Sequence, residues 1–339
     1  MTYRNFHLIS LMLSMFTVTL QSLGQTKILL KTNTTSNPIS VTAINPPSNG
    51  VIVIWKSNAS LANENNWKAV HAFSTSKQKS AELPIKPKTG ERAFFKLSWQ
   101  QIALPDRLVW IPPGEFRMGS PNNEAGRFKD EGPVHSAFVP HGFWMERYEI
   151  TQQRFRNIMG NNPSSTEFRS DLPVNRVTWY EAVQFCEKLT KSSRSNGELP
   201  LGYVYRLPTE TEWEYACRAG TNNAYSYGNS IDTLSEYGWW AKNSGNQPEP
   251  VGKLKPNPWG LYDMHGNLFE WCFDSYKAYP GGKAFSSTGN MKVLRGGAYY
   301  CPSNILRSAC RAESQEPNYR WILAGFRVVL APQIGQTNN

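Results

Sequence analysis

Two groups of residues in this chain have types and spacings that could do chemistry. The first lies in Trp259 to Trp271, WGLYDMHGNLFEW, where Asp263 and Glu270 stand either side of Gly266-Asn267. Glycine adopts backbone angles that other residues resist, so Gly260 and Gly266 permit a tight fold here. A turn between the two acids would bring their carboxylates together beside inward-pointing carbonyls. Hard oxygen donors in a flexible loop suit calcium. Taken alone, the stretch reads first as an ordinary glycine turn with its acids in water, the commoner outcome for such a segment.

The second group is the five cysteines, Cys186, Cys217, Cys272, Cys301 and Cys310. An odd count leaves at least one thiol free or paired between chains. His135, His141 and His265 show no spacing that suggests a metal triad. Phosphate-binding glycine loops, a GxSxG elbow and zinc-type CxxC pairs are absent from the sequence.

The elements that would position these residues are short. From Leu108 onward strands are brief, loops are long, and Trp and Tyr are frequent. A helix is predicted over Trp179 to Thr190, with Trp179, Ala182, Val183, Cys186 and Leu189 on one face. Thr178 and Glu181 form its capping box. A second helix is predicted from about Thr209 to Arg218, started by Thr209 and Glu212 and blocked upstream by Pro208. Trp213, Ala216 and Cys217 would face inward. Arg206 and Glu210 read as an ion pair or cap network rather than as a catalytic base.

Before this region, residues 25–104 read as a small all-β, sandwich-like module. Lys27 to Leu30, Ile39 to Ala43, Val51 to Trp55 and Ala93 to Leu97 are rich in β-branched and aromatic residues, with Pro/Gly/Asn turns between. Trp55 and Trp67 read as core. Residues 1–24 read as an export signal: Arg4, an apolar core from Leu8 to Leu20, then Ser22-Leu-Gly24. That core is short for a membrane span. The expected mature protein is exported, periplasmic or extracellular, with no membrane span.

Composition fits a folded chain: 339 residues, 40% hydrophobic, with 12 Trp, supply a large core. The net charge of +10 suits acidic surfaces. No run of Lys and Arg is long enough for a nucleic-acid footprint, so no nucleic-acid partner is expected.

Six further stretches complete a pattern with WGLYDMHGNLFEW. They are Val109-Trp-Ile-Pro-Pro-Gly-Glu-Phe-Arg-Met-Gly-Ser120, Glu146-Arg-Tyr-Glu-Ile-Thr-Gln152, Pro173-Val-Asn-Arg-Val-Thr-Trp-Tyr-Glu-Ala182, Tyr205-Arg-Leu-Pro-Thr-Glu-Thr-Glu-Trp-Glu-Tyr-Ala216, Leu294-Arg-Gly-Gly297 and Gly325-Phe-Arg-Val328. In this order and spacing, over roughly residues 106–332, the chain resembles the sulfatase-modifying-factor family, which includes the formylglycine-generating enzyme. The resemblance implies an α+β, C-type-lectin-like fold, with residues 333–339 a tail. It implies a structural calcium held by the Asp263 and Glu270 side chains and the Gly266 and Leu268 carbonyls. A second family calcium site, near Trp240 to Gly245, is too altered to carry over. It also implies a Cys217–Cys310 disulfide. A second family bridge would need a cysteine where Val328 stands, so Cys186 is expected to be a buried, inert thiol.

The family's chemistry, as the resemblance implies it, needs two cysteines holding copper(I), a soft ion that suits thiolates. Oxygen is then activated and a sulfatase cysteine becomes formylglycine. Arg295-Gly-Gly-Ala-Tyr-Tyr-Cys301 matches the first active cysteine. The second falls on Leu306, or on Ile305 when counted back from Cys310, and Ala298 stands where the enzyme has serine. Cys301 is then catalytic only if one protein thiolate suffices; otherwise it is packed or bridged to Cys272. Two expectations follow. One is a non-oxidase member that uses the scaffold for binding or assembly, with an envelope protein, a sulfatase or a glycan as partner. The other is a formylglycine-generating oxidase with copper.

Overall fold

The computed structural model describes residues 104–200, 202–282 and 290–333 in full and, among the first 103 residues, the backbone of eight strands. These eight are β1 Leu8–Leu11, β2 Thr17–Gln21, β3 Lys27–Lys31, β4 Ile39–Ile44, β5 Val51–Ser57, β6 Lys68–Ser74, β7 Ser80–Leu83 and β8 Ala93–Gln100. They form two antiparallel sheets, ordered β1-β8-β5-β6 and β2-β3-β4-β7. All four strands expected from β-branched runs are present, as β3, β4, β5 and β8. The stretch read as an export signal contributes β1 and β2, each at a sheet edge. Its removal by cleavage would leave two three-stranded sheets. The Trp55 and Trp67 side chains lie outside the described residues.

The second region begins with β9 Leu108–Ile111, the hairpin β10 Gly114–Met118 and β11 His135–Val139, and β12 Phe143–Glu146. Helix α1, Gln152–Met159, follows. Thr151 caps it by accepting from the Arg154 amide, and Gly160 ends it in the left-handed region. Helix α2 covers Trp179–Ser195, longer than predicted, and α3 covers Glu210–Arg218. Both carry the expected capping boxes: Thr178 with Glu181 and Thr209 with Glu212.

Two more sheets frame the rest. One is ordered β13-β18-β12-β9, with β13 Tyr203–Arg206 and β18 Val329–Pro332. The other is ordered β16-β15-β14-β17, with β14 Phe269–Ser275, β15 Lys292–Arg295, β16 Glu313–Gln315 and β17 Ala324–Gly325. Among the described residues of this region only the β14–β17 pair is parallel. Between these elements lie long irregular segments, as the sequence texture implied.

Two apolar clusters hold the elements together. The larger joins the inner face of α2 (Ala182, Phe185, Cys186, Leu189) to Phe155 of α1, Trp271 of β14 and Phe326. The smaller joins Trp213, Ala216 and Cys217 of α3 to Met145 of β12 and Val329 of β18. Helix α3 therefore turns one face to the sheets. Its acids face a set of buried arginines instead. Arg206 pairs with Glu212 at 2.7 Å, not with Glu210. Glu210 takes Arg311 at 2.8 Å, and Glu214 takes both Arg218, at 2.8 Å, and Arg295. The correction is local: Glu212, at the third helical position, faces back over the cap toward Arg206, while Glu210 points to the segment after β15. Among the described residues no helix is long and apolar enough to cross a membrane.

Candidate functional site

The Gly266-Asn267 turn is built on left-handed backbone. Asp263 and Asn267 have φ of +60° and +63°, and Gly266 has φ of +124°. A Cβ on Gly266 would sit 2.0 Å from the Trp239 carbonyl oxygen, so only glycine fits. The turn is clamped from several sides. The Asn267 amide donates to the Trp239 carbonyl at 2.9 Å, and the Tyr299 amide donates to the Asn267 carbonyl at 2.8 Å. This last bond ties the turn to the segment that carries Cys301.

Asp263 and Glu270 are both buried, so the water-facing reading of these acids does not hold. They are not equivalent. Both oxygens of Glu270 are taken by Arg327, whose Nη2 lies 2.6 Å from Oε1 and whose Nε lies 2.7 Å from Oε2. Trp213 Nε1 adds a bond to Oε2 at 2.7 Å. Among the described residues Asp263 accepts only the Gly252 amide, through Oδ2 at 2.8 Å, and its buried Oδ1 has no hydrogen-bond partner there. The Phe269 and Trp271 rings that flank Glu270 are buried, as expected.

A third carboxylate joins them. Glu149, just before α1, is buried and accepts the Leu268 amide at 3.0 Å and the Asn267 side-chain amide at 2.6 Å. Burial, then Asp263 and Glu270, push its carboxyl well above the ordinary range. Burial also pushes Asp263 up to about 6, against the Gly252 amide and Arg327, which pull it down. Three buried carboxylates thus share one guanidinium. Such an excess of negative charge is costly unless protons or a cation offset it. The calcium donor set fits in part: Asp263 keeps a free oxygen, but Glu270 is filled by Arg327 and Trp213. Among the described residues no three acidic, Cys or His side chains are gathered as a metal site. Glu149 and Arg327 were missed from sequence as members of this cluster. Both lie in quoted motifs, but their distance along the chain from the turn left no local signal.

Cys301 follows the double glycine, in a turn where its amide donates to the Ala298 carbonyl at 2.9 Å. It is 9% exposed, and burial pushes its thiol up to about 11. The neighbouring 3₁₀ turn, Ser303–Leu306, carries Ile305 and Leu306, the two positions at which the sequence reading looks for a second active cysteine. Leu306 is fully buried, and its Cδ1 packs 2.8 Å from where a Cβ on Gly297 would lie. Ile305 packs on the same apolar cluster. His265 holds this turn: its Nδ1 pairs with the Leu306 carbonyl at 2.9 Å, and Nε2 accepts the Ser226 amide at 3.1 Å. Ala298 is fully buried.

All five cysteines are free thiols, and all are buried. The Cys217–Cys310 bridge is therefore not formed in this structure. Cys217 Sγ instead contacts the Met264 carbonyl at 3.7 Å. Burial pushes both of these thiols up to about 12. Cys272 is likewise free rather than bridged to Cys301, and Cys186 is the buried core thiol expected. The expected copper donor set is incomplete: beside Cys301, the two positions read from the sequence for its partner are the aliphatic Ile305 and Leu306.

The sequence of residues 95–332 matches the sulfatase-modifying factor enzyme 1-like domain. The chain belongs to this family. The match begins inside β8, eleven residues ahead of residue 106, where the sequence reading starts the family region. The chain is 33% identical over 213 residues to the chaperone protein LppX of Paenibacillus barcinonensis, covering 50% of this chain and 72% of that one. It is 31% identical over 294 residues to the formylglycine-generating enzyme of Mus musculus, covering 65% of this chain and 74% of that one. Among solved structures, Treponema denticola variable protein 1 matches with a TM-score of 0.58 at 26% identity, over 66% of this chain and 95% of that one. PvdO from Pseudomonas aeruginosa matches with a TM-score of 0.56 at 27% identity, over 66% of this chain and 93% of that one. The fold is the α+β, C-type-lectin-like fold of these proteins.

Proposed function

We propose that this chain is an exported, non-oxidase member of its family that uses the scaffold to bind or assemble an envelope partner. The observation that carries the reading is Leu306. It is an aliphatic side chain, wholly buried, at the place where copper chemistry needs a second thiolate. Cys301 is largely buried and its thiol is pushed up to about 11, so it offers little thiolate near neutral pH. Relatives named for different roles, a chaperone protein and a formylglycine-generating enzyme, are compatible with a scaffold whose chemistry is separable from its fold. A sulfatase remains a candidate partner through the second of these relatives.

In this reading the remaining site residues act structurally. Asp263, with the Gly266 and Leu268 carbonyls, would hold a calcium ion. That ion would supply positive charge beside Glu149 and Asp263, a charge that Arg327 alone does not balance. Glu270 would act at one remove, by fixing Arg327. The turn and the Cys301 segment would then be stiffened together through Asn267 and Tyr299.

The reading is tested by incubating the protein with copper, oxygen and a CxPxR sulfatase peptide, and following the peptide by mass spectrometry. The cysteine is expected to stay unchanged. Its conversion to formylglycine would establish the oxidase instead.

A further inference from the structure

The first turn of α2 and the outer ends of β14 and β15 place an aromatic cluster with a cation at the surface. Tyr180 and Phe273 are 48% and 36% exposed, among the few large apolar side chains so open to water. Between them stands Trp179, half-buried and fixed at its edge by Nε1 donating to the Cys272 carbonyl at 2.9 Å. Its ring centre lies 5.4 Å from that of Tyr180 and 6.1 Å from that of Phe273. Lys292 lays its Nζ 4.1 Å from the Trp179 ring centre. That ammonium also donates to Ser275 Oγ at 3.1 Å. It donates to the Phe273 carbonyl at 3.4 Å as well, and Asp274 attracts it, although among the described residues no carboxylate reaches salt-bridge distance.

The rim supplies directional polar groups. Lys292 faces Gln315 across the β15–β16 ladder. Arg320 and Glu181 form an exposed fork, with N–O distances of 2.6 Å and 2.8 Å. The loop that carries Arg320 is pinned to α2, since the Trp179 amide donates to the Pro317 carbonyl at 3.0 Å. The surface is therefore preformed: a rigid Trp, two open rings, one cation without a salt-bridge partner among the described residues, and a fork with both donors and acceptors.

This combination has a chemical meaning. Open aromatic faces accept the C–H faces of sugar rings, while fixed donors and acceptors at the rim suit hydroxyl groups. The ammonium held at the edge of this aromatic cluster favours a negative partner over a neutral one. We propose that this surface binds an anionic polysaccharide, with sugar rings on Tyr180 and Phe273 and the acidic group at Lys292. The proposal deepens the binding reading above by naming a partner class, and uses none of the residues around Cys301.

Affinity electrophoresis of the full chain tests it, in gels containing polygalacturonate, heparin or neutral dextran, at two salt concentrations. Retardation is expected with an acidic polymer and not with dextran; the two acidic gels separate carboxylate from sulfate recognition. Tyr180→Ala and Phe273→Ala should each weaken retardation on the order of tenfold, with circular dichroism unchanged. Lys292→Gln should erase the preference for acid over dextran. No binding to any polymer, equal binding to dextran, or acidic binding that both aromatic substitutions leave intact would overturn the proposal. So would a dimer that these substitutions dissolve. Formylglycine formation with polysaccharide binding retained would remove the non-oxidase reading and leave this one standing.

Discussion

Arg327 closes a fork on Glu270 inside the protein, with Nη2 2.6 Å from Oε1 and Nε 2.7 Å from Oε2, and neither side chain reaches water. The pair joins the segment before β18 to β14, and Arg327 also donates to the Tyr262 carbonyl at 2.9 Å. Removing one partner would strand the other charge in the core. Arg327→Met should lower stability by about 3–5 kcal/mol in urea unfolding. Glu270→Gln combined with Arg327→Met should recover part of that loss, because the two residues couple. A loss under about 1 kcal/mol in the single variant would show that the pair is not formed.

The excess acid beside that pair gives a pH dependence of definite sign. The folded protein holds the Asp263 carboxyl at about 6, above its ordinary value of 3.8. A group held protonated longer in the folded state stabilises it at low pH and loses that contribution as pH rises through the folded value. Glu149 is shifted in the same direction. In EGTA, melting temperature should therefore rise as pH falls from about 7 to 5, and Asp263→Asn should flatten the slope. Calcium added at neutral pH should raise the melting temperature of the unsubstituted protein more than that of Asp263→Asn. A slope that Asp263→Asn leaves unchanged would show that these acids do not carry the effect.

The thiols give a simpler check. Protein unfolded without reductant should titrate as five free thiols, matching the five buried cysteines. A result of three, with Cys217 and Cys310 recovered as one linked peptide, would show a bridge that this structure lacks.

The sequence showed local features well and long-range partners poorly. Capping boxes at Thr178 and Thr209 and the apolar stripe of α2 announce their helices because each depends on neighbours within one turn. The four β-branched runs of the first region all form strands. Helix α1 escaped notice, having only two buried residues, Gln152 and Phe155, on a mostly polar sequence. The partners of buried charges were the hardest part. Arg327 meets Glu270 from 57 residues away, and Glu149 reaches Leu268 from 119 residues away. Nothing in local spacing encodes such pairs. Arg206 joins the helix cap through Glu212 rather than pairing with Glu210, because two acids two residues apart on one helix point to different sides. Leu306 and Ile305 are plain in the sequence; that Leu306 is core, and not a surface side chain near Cys301, needed the fold.

The account turns on Cys301 being a single thiol with no partner for copper(I). The most direct measurement is competition for copper(I) against a chromophoric chelator under anaerobic conditions. The protein should fail to withdraw copper, and Cys301→Ser should behave as the unsubstituted chain does. Uptake of one copper(I) per chain, lost in Cys301→Ser, would contradict the account and restore the metal site.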